Sequence, residues 1–470
     1  MKKYIFNIFL ATLALGFTAC EDALVEQPHD QLVPSNVLET EVGLESVLIS
    51  AYGEMQVHIF PLVRQHYMEE GTTDIFWEQG GGQERHATTL QNFTFDSEHT
   101  WITDVYDQLW DAITDANQFF DNVDKVEFKN SDKTVRIAEA RFIRAYQYYL
   151  LSKWYGEVPL IISSTPELYP ANTPIAEINE FIERELIDAA ADLPNEQADQ
   201  YRINKGGALA LLTKHYLNTK QWQKCADAAQ DVMGLGLYKL EEDYKQIFSV
   251  DNESNAEFIL VYPQIRDGVA QGNTWMALSL PPGYPETGPN FAAQFKYYDA
   301  FVNSFDLNDV RREMILTEYE KDGETVQLLG NDDSRSLKYY DVARIGSFQD
   351  NDVPIIRYAD ILLSRAEAIN ELQGPVTEAI DLINEVRERA EVTPLSADDF
   401  NKETLRDHIL AERGWEFYSE SKRRSDLIRH GKFVERAKER GKNAQNYHML
   451  YPFPQTEINA NKNLEQNEGY

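Results

Sequence analysis

The chain has 470 residues, of which 78 are acidic and 44 are basic, so its formal net charge at pH 7 is −34. A surface with this charge repels phosphate backbones and anionic lipids, which argues against a nucleic acid as a partner. Hydrophobic residues make up 43% of the chain and aromatic residues 12%, enough for a substantial core.

The N-terminus has the pattern of a processing signal. Lys2 and Lys3 form a basic start, and the apolar run over residues 4–15 is too short to span a bilayer, so residues 1–19 are predicted to be a signal peptide. Cys20 follows a small residue, which is typical of a bacterial lipoprotein cut before that cysteine. Diacylation there would supply the double anchor that stable membrane attachment needs. Ordinary secretion without the acylated cysteine is the alternative.

Residues 20–40 are predicted to be a lipidated tether, because they are polar and contain Pro28 and Pro34. The apolar spacing then predicts a helix over 41–56. Residues 67–100 lose this periodicity and combine a glycine run with aromatic and polar side chains. A segment of this length without regular structure is usually functional or disordered, and its aromatic residues argue against disorder.

Helical periodicity returns in the rest of the first half and near the end of the chain. Two hairpins of paired helices are predicted over 206–237 and 357–390. In the second hairpin, Gly374 ends one helix and Pro375 begins the next. Its 34 residues match the period of a tetratricopeptide unit, which buries its apolar face only by stacking on neighbours. Further helices are predicted over 101–123, 134–155, 175–193 and 402–430.

We therefore predict a single, mainly α domain over residues 41–470. Its helices form a scaffold, and its irregular segments form a ligand-facing surface, with an Asn- and Pro-rich tail over 447–470 wrapping the outside. The predicted scaffold segments are 41–66, 101–239 and 357–446, and the irregular segments are 67–100 and 240–356.

Several segments resemble the SusD/RagB family of Bacteroidetes outer-membrane lipoproteins, and they occur in the family's order across nearly the whole chain. The segments are Cys20-Glu21-Asp22, 155–160 (YGEVPL), 357–360 (RYAD), 384–390 (NEVRERA), 429–431 (RHG) and the tail 450–470. This resemblance implies a right-handed superhelix of tetratricopeptide-like helix pairs.

The resemblance also implies a function and a location. The protein is expected at the cell surface, held in the outer membrane by the acylated Cys20, and seated over the extracellular mouth of a SusC-like, TonB-dependent transporter. There it would capture an oligosaccharide and deliver it to the transporter. The family is not an enzyme family, and the resemblance implies no cofactor.

The irregular segments contain side chains suited to sugars. A sugar presents an apolar face to an aromatic ring and hydroxyl edges to polar groups. We predict that Trp77, Trp275 and Tyr284 form an exposed platform, although each ring could instead anchor its loop in the core. The predicted ligand-binding residues are Trp77, Glu78, Gln79, Arg85, Asn273, Trp275 and Tyr284. Four further tryptophans fall within helical patterns and are expected in the core: Trp110, Trp154, Trp222 and Trp415.

Catalysis and metal binding have less support. The chain contains none of the short motifs HExxH, GxSxG, the P-loop or the dinucleotide fingerprint. The histidines at 58, 66, 86 and 99 lack the helical spacing of a metal site, so no metal is predicted. Residues 331–333 (NDD) are interpreted as a turn. The charges at 413, 416, 423, 424 and 426 are interpreted as ion pairs between helices.

Three other functions remain open from the sequence. A narrow charged groove would favour a peptide-binding lid of the transporter. A surface with neither groove nor platform would favour a purely structural gate. A surface glycoside hydrolase would need only a pair of carboxylates at a suitable separation. With 78 acidic residues in the chain, the sequence does not exclude such a pair.

Overall fold

The computed structural model describes residues 38–55, 59–266, 272–286, 288–291 and 295–470. The predicted signal peptide, Cys20, nearly all of the predicted tether and His58 lie outside the described residues. Within them the fold is mainly α, as predicted, with sixteen α-helices and a few short strands around one hydrophobic core. No helix among the described residues combines the length and apolar character that a membrane crossing requires.

The first half of the chain is almost entirely helical. Its elements are α1 (Glu41–Met55), α2 (Ile59–Glu70), β1 (Phe76–Glu78), α3 (Glu84–Asn92), α4 (Thr100–Val123), α5 (Lys133–Tyr155), α6 (Ile175–Asp192), α7 (Lys205–Asn218) and α8 (Trp222–Gly234). Side chains cap several of these helices: Asp132 accepts from Thr134 N at the start of α5, and Asn204 accepts from Gly207 N at the start of α7.

Short elements follow, and helices return after residue 357. The elements are β2 (Phe258–Tyr262), α9 (Trp275–Ser279), β3 (Phe295–Tyr297), α10 (Asp299–Val302), β4 (Ile315–Leu316), β5 (Glu318–Lys321), β6 (Glu324–Gln327), β7 (Arg335–Ser336), β8 (Val353–Arg357), α11 (Tyr358–Gln373), α12 (Thr377–Arg389), α13 (Lys402–Phe417), α14 (Arg423–Arg429), α15 (Phe433–Glu439) and α16 (Gln455–Ala460).

The scaffold is a stack in which each helix packs on the next one in order. The sequence of contacts runs α4, α5, α6, α7, α8, α11 and α12, and α1 covers α4. Such nearest-neighbour packing is how helical hairpins bury the apolar face that each would otherwise expose. The two predicted hairpins correspond to α7 with α8 and to α11 with α12.

The strands form four separate two-stranded antiparallel ribbons, β1–β3, β2–β8, β4–β7 and β5–β6. The β1–β3 ribbon joins residues more than 200 positions apart, with Phe76 opposite Tyr297 and Trp77 opposite Lys296. Within the predicted irregular segment 240–356, β2 pairs with β8.

Two boundaries differ from the prediction. Residues 67–100 are more regular than expected, since they contain the end of α2, β1 and α3. The helix α3 has nine residues, too few for apolar periodicity to show. Residues 402–430 form two helices rather than one, because Ser419 and Ser421 adopt left-handed backbone conformations (φ 65° and 59°) that interrupt the helix.

The tail does more than wrap the surface. Tyr451 and Phe453 are completely buried. The backbone N–H of Tyr451 donates to Trp154 O at 2.7 Å, and its hydroxyl donates to Met68 O at 2.7 Å. The tail therefore fills part of the core between α2 and α5, because its aromatic side chains are apolar enough to be buried despite the polar residues around them.

Candidate functional site

The β1–β3 ribbon has an inner face in the core and an outer face toward solvent, because successive side chains of a strand point to opposite sides. On the inner face, the Phe76 ring packs against His66 and Phe295, with centroids 5.0 and 5.2 Å away. Trp77 points to the outer face and is half-buried.

The outer face carries an aromatic surface that we call the ribbon surface, formed by Trp77, Lys296 and Tyr298. The rings of Trp77 and Tyr298 lie nearly parallel, 18° apart, with centroids separated by 6.2 Å. The Lys296 ammonium lies 4.9 Å from the Trp77 ring centre. The indole N–H of Trp77 donates to Asp332 O at 2.7 Å, which fixes the orientation of the ring.

Polar groups surround the ribbon surface. Lys296 forms an ion pair with Asp333 at 2.8 Å. Gln79 follows β1 directly and is exposed, and Arg85 is exposed in the first turn of α3. The side chains of these two predicted site residues are therefore available to a ligand.

Trp275, predicted for the platform, and Asn273, predicted to bind the ligand, are both buried, so these two predictions are wrong. Trp275 is only 9% exposed, and its ring packs against His66, Phe295 and Tyr339 at centroid distances of 4.7 to 5.0 Å. It lies beneath the ribbon, in the core. Asn273 is also buried; its amide donates to the Asn351 carbonyl at 2.7 Å. Both residues support the site from inside and present no surface to a ligand.

Glu78 is also buried, on the inner face. Neither of its carboxyl oxygens has a hydrogen-bond partner among the described residues. Burial raises the pKa of Glu78 to about 8, and Glu84 raises it further while Lys296 opposes the shift. The backbone of Glu78 is held by the side chain of Gln91, which donates to its carbonyl and accepts from its N–H. Glu78 thus anchors the ribbon and does not face a ligand.

Tyr284 belongs to a second aromatic surface, the tyrosine patch, formed by Tyr284, Tyr319 and Tyr340. The rings of Tyr284 and Tyr319 are 5.7 Å apart, and the Tyr319 hydroxyl donates to Pro282 O at 3.1 Å. Burial raises the pKa of Tyr340, and a hydrogen bond with Tyr284 adds to the shift. The Tyr284 and Tyr340 side chains are half-buried.

Sequence reasoning missed Lys296, Tyr298 and Tyr340. Residues 295–298 read Phe-Lys-Tyr-Tyr, and a strand over the first three would have placed Lys296 opposite in direction to its neighbours. The ribbon surface depends on the pairing of this strand with β1. Nothing in the sequence near either strand indicates that pairing, because the two strands lie more than 200 positions apart.

Of the charges predicted to form ion pairs, those at 413, 416, 423 and 426 do so in buried positions, whereas Arg424 donates to the backbone carbonyls of His448 and Met449. Arg413 bonds Asp360 at 2.8 Å and Asp426 at 2.9 Å. Arg357 bonds Glu257 and Glu420, at 2.6 and 2.8 Å. All of these groups are buried, so they join helices and loops and are not accessible to a substrate. Residues 331 and 332 form the expected turn.

The four tryptophans that were assigned to helical patterns lie in helices. Trp154 is 1% exposed, and the other three are half-buried and pack against the core: Trp110, Trp222 and Trp415. Within the described ranges, no three His, Cys, Asp or Glu side chains are placed to hold a metal ion.

Comparisons with known proteins agree with this fold. The model of the SusD family matches residues 331–470, and a second model, described as starch-binding associating with outer membrane, matches residues 24–217. The chain is 27% identical to SusD-like protein P2 of Formosa agariphila over 100% of both chains. It is 26% identical to starch-binding protein SusD of Bacteroides thetaiotaomicron, over 100% of this chain and 99% of the relative.

Solved structures with the same fold include a SusD homolog from Bacteroides thetaiotaomicron, with a TM-score of 0.82, 21% identity and coverage of 93% of this chain and 99% of that one. Surface glycan-binding protein A from the same organism, in complex with laminarihexaose, has a TM-score of 0.78, 19% identity and coverage of 91% and 99%. The fold and the sequence matches together place the chain in a class of mainly helical proteins that associate with the outer membrane. The chain belongs to the SusD family.

Proposed function

We propose that this protein binds a glycan at the cell surface and passes it to a SusC-like, TonB-dependent transporter. Relatives support the first half of this proposal, since one is named a starch-binding protein and one structural neighbour holds laminarihexaose. The starch-binding relative is 26% identical to this chain and the laminarihexaose-bound neighbour 19%, so the particular glycan is left open.

The ribbon surface is the observation that carries the proposal. Its two rings are nearly parallel and half-buried, so each keeps part of its surface for contact with the apolar face of a sugar. The Lys296 ammonium and the exposed Gln79 and Arg85 side chains supply hydrogen-bond donors for hydroxyl edges. The Asp332 carbonyl holds Trp77 in place before a ligand arrives, which lowers the entropic cost of binding.

The tyrosine patch supplies a second point of contact in this proposal. A polysaccharide is long enough to touch separate surfaces, and simultaneous contacts raise the overall affinity. Tyr284 therefore stays in the proposed site, whereas Trp275, Asn273 and Glu78 are left out because they are buried.

We propose binding without catalysis. The densest charge clusters are buried ion pairs, and the names of the relatives describe binding proteins. Delivery to the transporter and attachment through an acylated Cys20 complete the proposal. They rest on family membership and on the sequence pattern before Cys20.

The test uses the chain from residue 21 onward in native affinity electrophoresis with a panel of polysaccharides that includes starch and laminarin. Trp77→Ala, Tyr298→Ala and Tyr284→Ala are compared with Trp415→Ala. Trp415 is a matched control, because it is also half-buried and its indole N–H also donates to a single oxygen, Ser304 Oγ at 2.9 Å.

Retardation of the native chain by one glycan is expected. The retardation should be lost in Trp77→Ala and in Tyr298→Ala, and it should be unchanged in Trp415→Ala. Equal retardation of all four variants would support glycan binding but would show that the ribbon surface is not the binding site. If no glycan retards the native chain, the proposal fails, and a peptide ligand or a lid that acts only with its barrel becomes the better explanation.

A further inference from the structure

The helical scaffold contains two adjoining clefts that share no residue with the ribbon surface or the tyrosine patch. The first, of about 480 Å³, lies among α5, α6, α7 and α14. The second, of about 360 Å³, lies beside α8, α11 and α13. Lys220 and Arg429 line both, so the clefts form one double cleft. Each volume is within the range of small-molecule sites.

The lining of the double cleft is rich in cations. It contains Lys153, Lys220, Arg406 and Arg429 but only two carboxylates, Glu367 and Glu371. Both carboxylates are already paired, Glu367 with Arg429 at 2.8 Å and Glu371 with Arg406 at 2.7 Å. This lining contrasts with the whole chain, whose net charge is −34.

Lys220 is the cation that stands out. It is exposed, it lies where the two clefts meet, and its ammonium has no ion-pair or hydrogen-bond partner in the part of the chain that the structure describes. The other three are held by acidic neighbours; Lys153, for example, lies 2.6 Å from Glu69. An incoming anion could therefore bind Lys220 without displacing an existing pair.

Two buried imidazoles also line the double cleft with unused ring nitrogens. His215, in the first cleft, is 1% exposed, and its Nε2 has no hydrogen-bond partner among the described residues. The His430 side chain, in the second cleft, is 2% exposed; its Nδ1 has no hydrogen-bond partner among the described residues, and its Nε2 lies 3.2 Å from Glu367. Leaving such groups unpaired costs stability, which a polar ligand would recover.

The remaining walls suit a compact ligand with an apolar side. Ile175, Ile428 and Met449 line one part of the first cleft. Asn218 lines another, where its amide donates to the Tyr149 hydroxyl at 2.7 Å. The lining thus combines apolar contact with fixed polar groups and a cation, a combination that recognises a small amphipathic anion.

We infer that the double cleft is a second ligand site, which binds a small molecule carrying an oxyanion, with the Lys220 ammonium as its anchor. A sugar acid and a free inorganic anion share this chemistry. The site is independent of the glycan function proposed above, because it uses different residues on a different part of the fold.

Isothermal titration of the chain from residue 21 onward tests this inference, with glucuronate, its neutral counterpart glucose, and inorganic sulfate as probes. The variants are Lys220→Gln, which removes the charge, and Lys220→Arg, which keeps it. Lys438→Gln is the matched control, since Lys438 is an exposed lysine outside the lining and without an ion pair among the described residues. Thermal unfolding of each variant confirms that it is folded.

Glucuronate or sulfate is expected to bind and glucose is not. Lys220→Gln should weaken binding about tenfold or more, as expected for a lost charged hydrogen bond, and Lys220→Arg should retain it. Tighter binding of glucuronate would identify a sugar acid as the ligand class, and binding of sulfate alone an inorganic anion. Equal binding of glucose, binding unchanged in Lys220→Gln, or no binding of either anion would overturn the inference.

Discussion

Individual residues in this protein act mainly through what surrounds them. Trp77 and Trp275 illustrate this, since both follow irregular stretches with polar neighbours in the sequence. Pairing of β1 with β3 turns Trp77 outward. Phe295 of β3 packs on the Trp275 ring and covers it. The sequence could propose both rings for the site but could not choose between them, because the choice depends on contacts between distant segments.

Removal of one partner from the buried ion-pair network should be costly. Arg357→Met leaves Glu257, Glu416 and Glu420 without their shared guanidinium. The free energy of unfolding should fall by about 3–5 kcal/mol, because the three buried carboxylates would keep only their other cations, Arg311, Lys338 and Arg389, and lose one buried positive charge that balances them. Urea unfolding measures this change. Lys438→Met, an exposed substitution, should shift it by no more than about 0.5 kcal/mol.

Glu78 should make stability depend on pH. Its pKa is 4.5 in the unfolded chain and about 8 in the folded protein, because it is buried. The unfolded state therefore ionises first, and the contribution of Glu78 to stability is full below pH 4.5 and is lost as the pH rises through about 8.

The measurement compares melting temperatures of the native chain and Glu78→Gln from acidic to alkaline pH. The native chain should lose more stability than the variant as the pH rises, because glutamine does not ionise. An exposed substitution, Glu98→Gln, should follow the native chain. Identical pH profiles for native protein and Glu78→Gln would contradict the assignment.

Helices and strands differ in how far the sequence predicts them. Long helices such as α4 and α5 were predicted to within a residue or two, because their apolar residues recur three and four positions apart. The short elements α3, β1 and β3 were missed, since nine residues or fewer show no clear period. The ribbon surface is made from two of these missed elements, so the site was less predictable than the scaffold.

Two helical glycines should respond oppositely to alanine. A Cβ at Gly206 in α7 would overlap the Tyr238 ring and hydroxyl, and that hydroxyl bonds Asn204, the residue that caps the helix. Gly206→Ala should therefore lower the free energy of unfolding by about 1 kcal/mol or more. A Cβ at Gly53 in α1 meets nothing within 4 Å, so Gly53→Ala should raise it by about 0.5 kcal/mol. Chemical unfolding distinguishes the two, and the same sign for both would contradict this account.

At the scale of the whole molecule, the predicted lipid anchor is open to a direct experiment. Cys20→Ser should abolish incorporation of labelled palmitate and move the protein from the membrane fraction to the soluble fraction, because the acyl chains are its only predicted attachment. Mass spectrometry of the mature N-terminus provides a second measurement. Cys225→Ser is the control, since that cysteine is buried and should not affect membrane attachment. Unchanged labelling of Cys20→Ser would disprove acylation at this residue.

The burial of Tyr451 and Phe453 bears on how the protein is made. Synthesis delivers the chain from its N-terminus, so α2 and α5 emerge long before the residues that fill the space between them. The first half of the scaffold therefore lacks part of its interior until almost the last residue has been added. Such a chain stays incompletely packed throughout synthesis, which would suit the export through a membrane in an unfolded state that the predicted signal peptide implies.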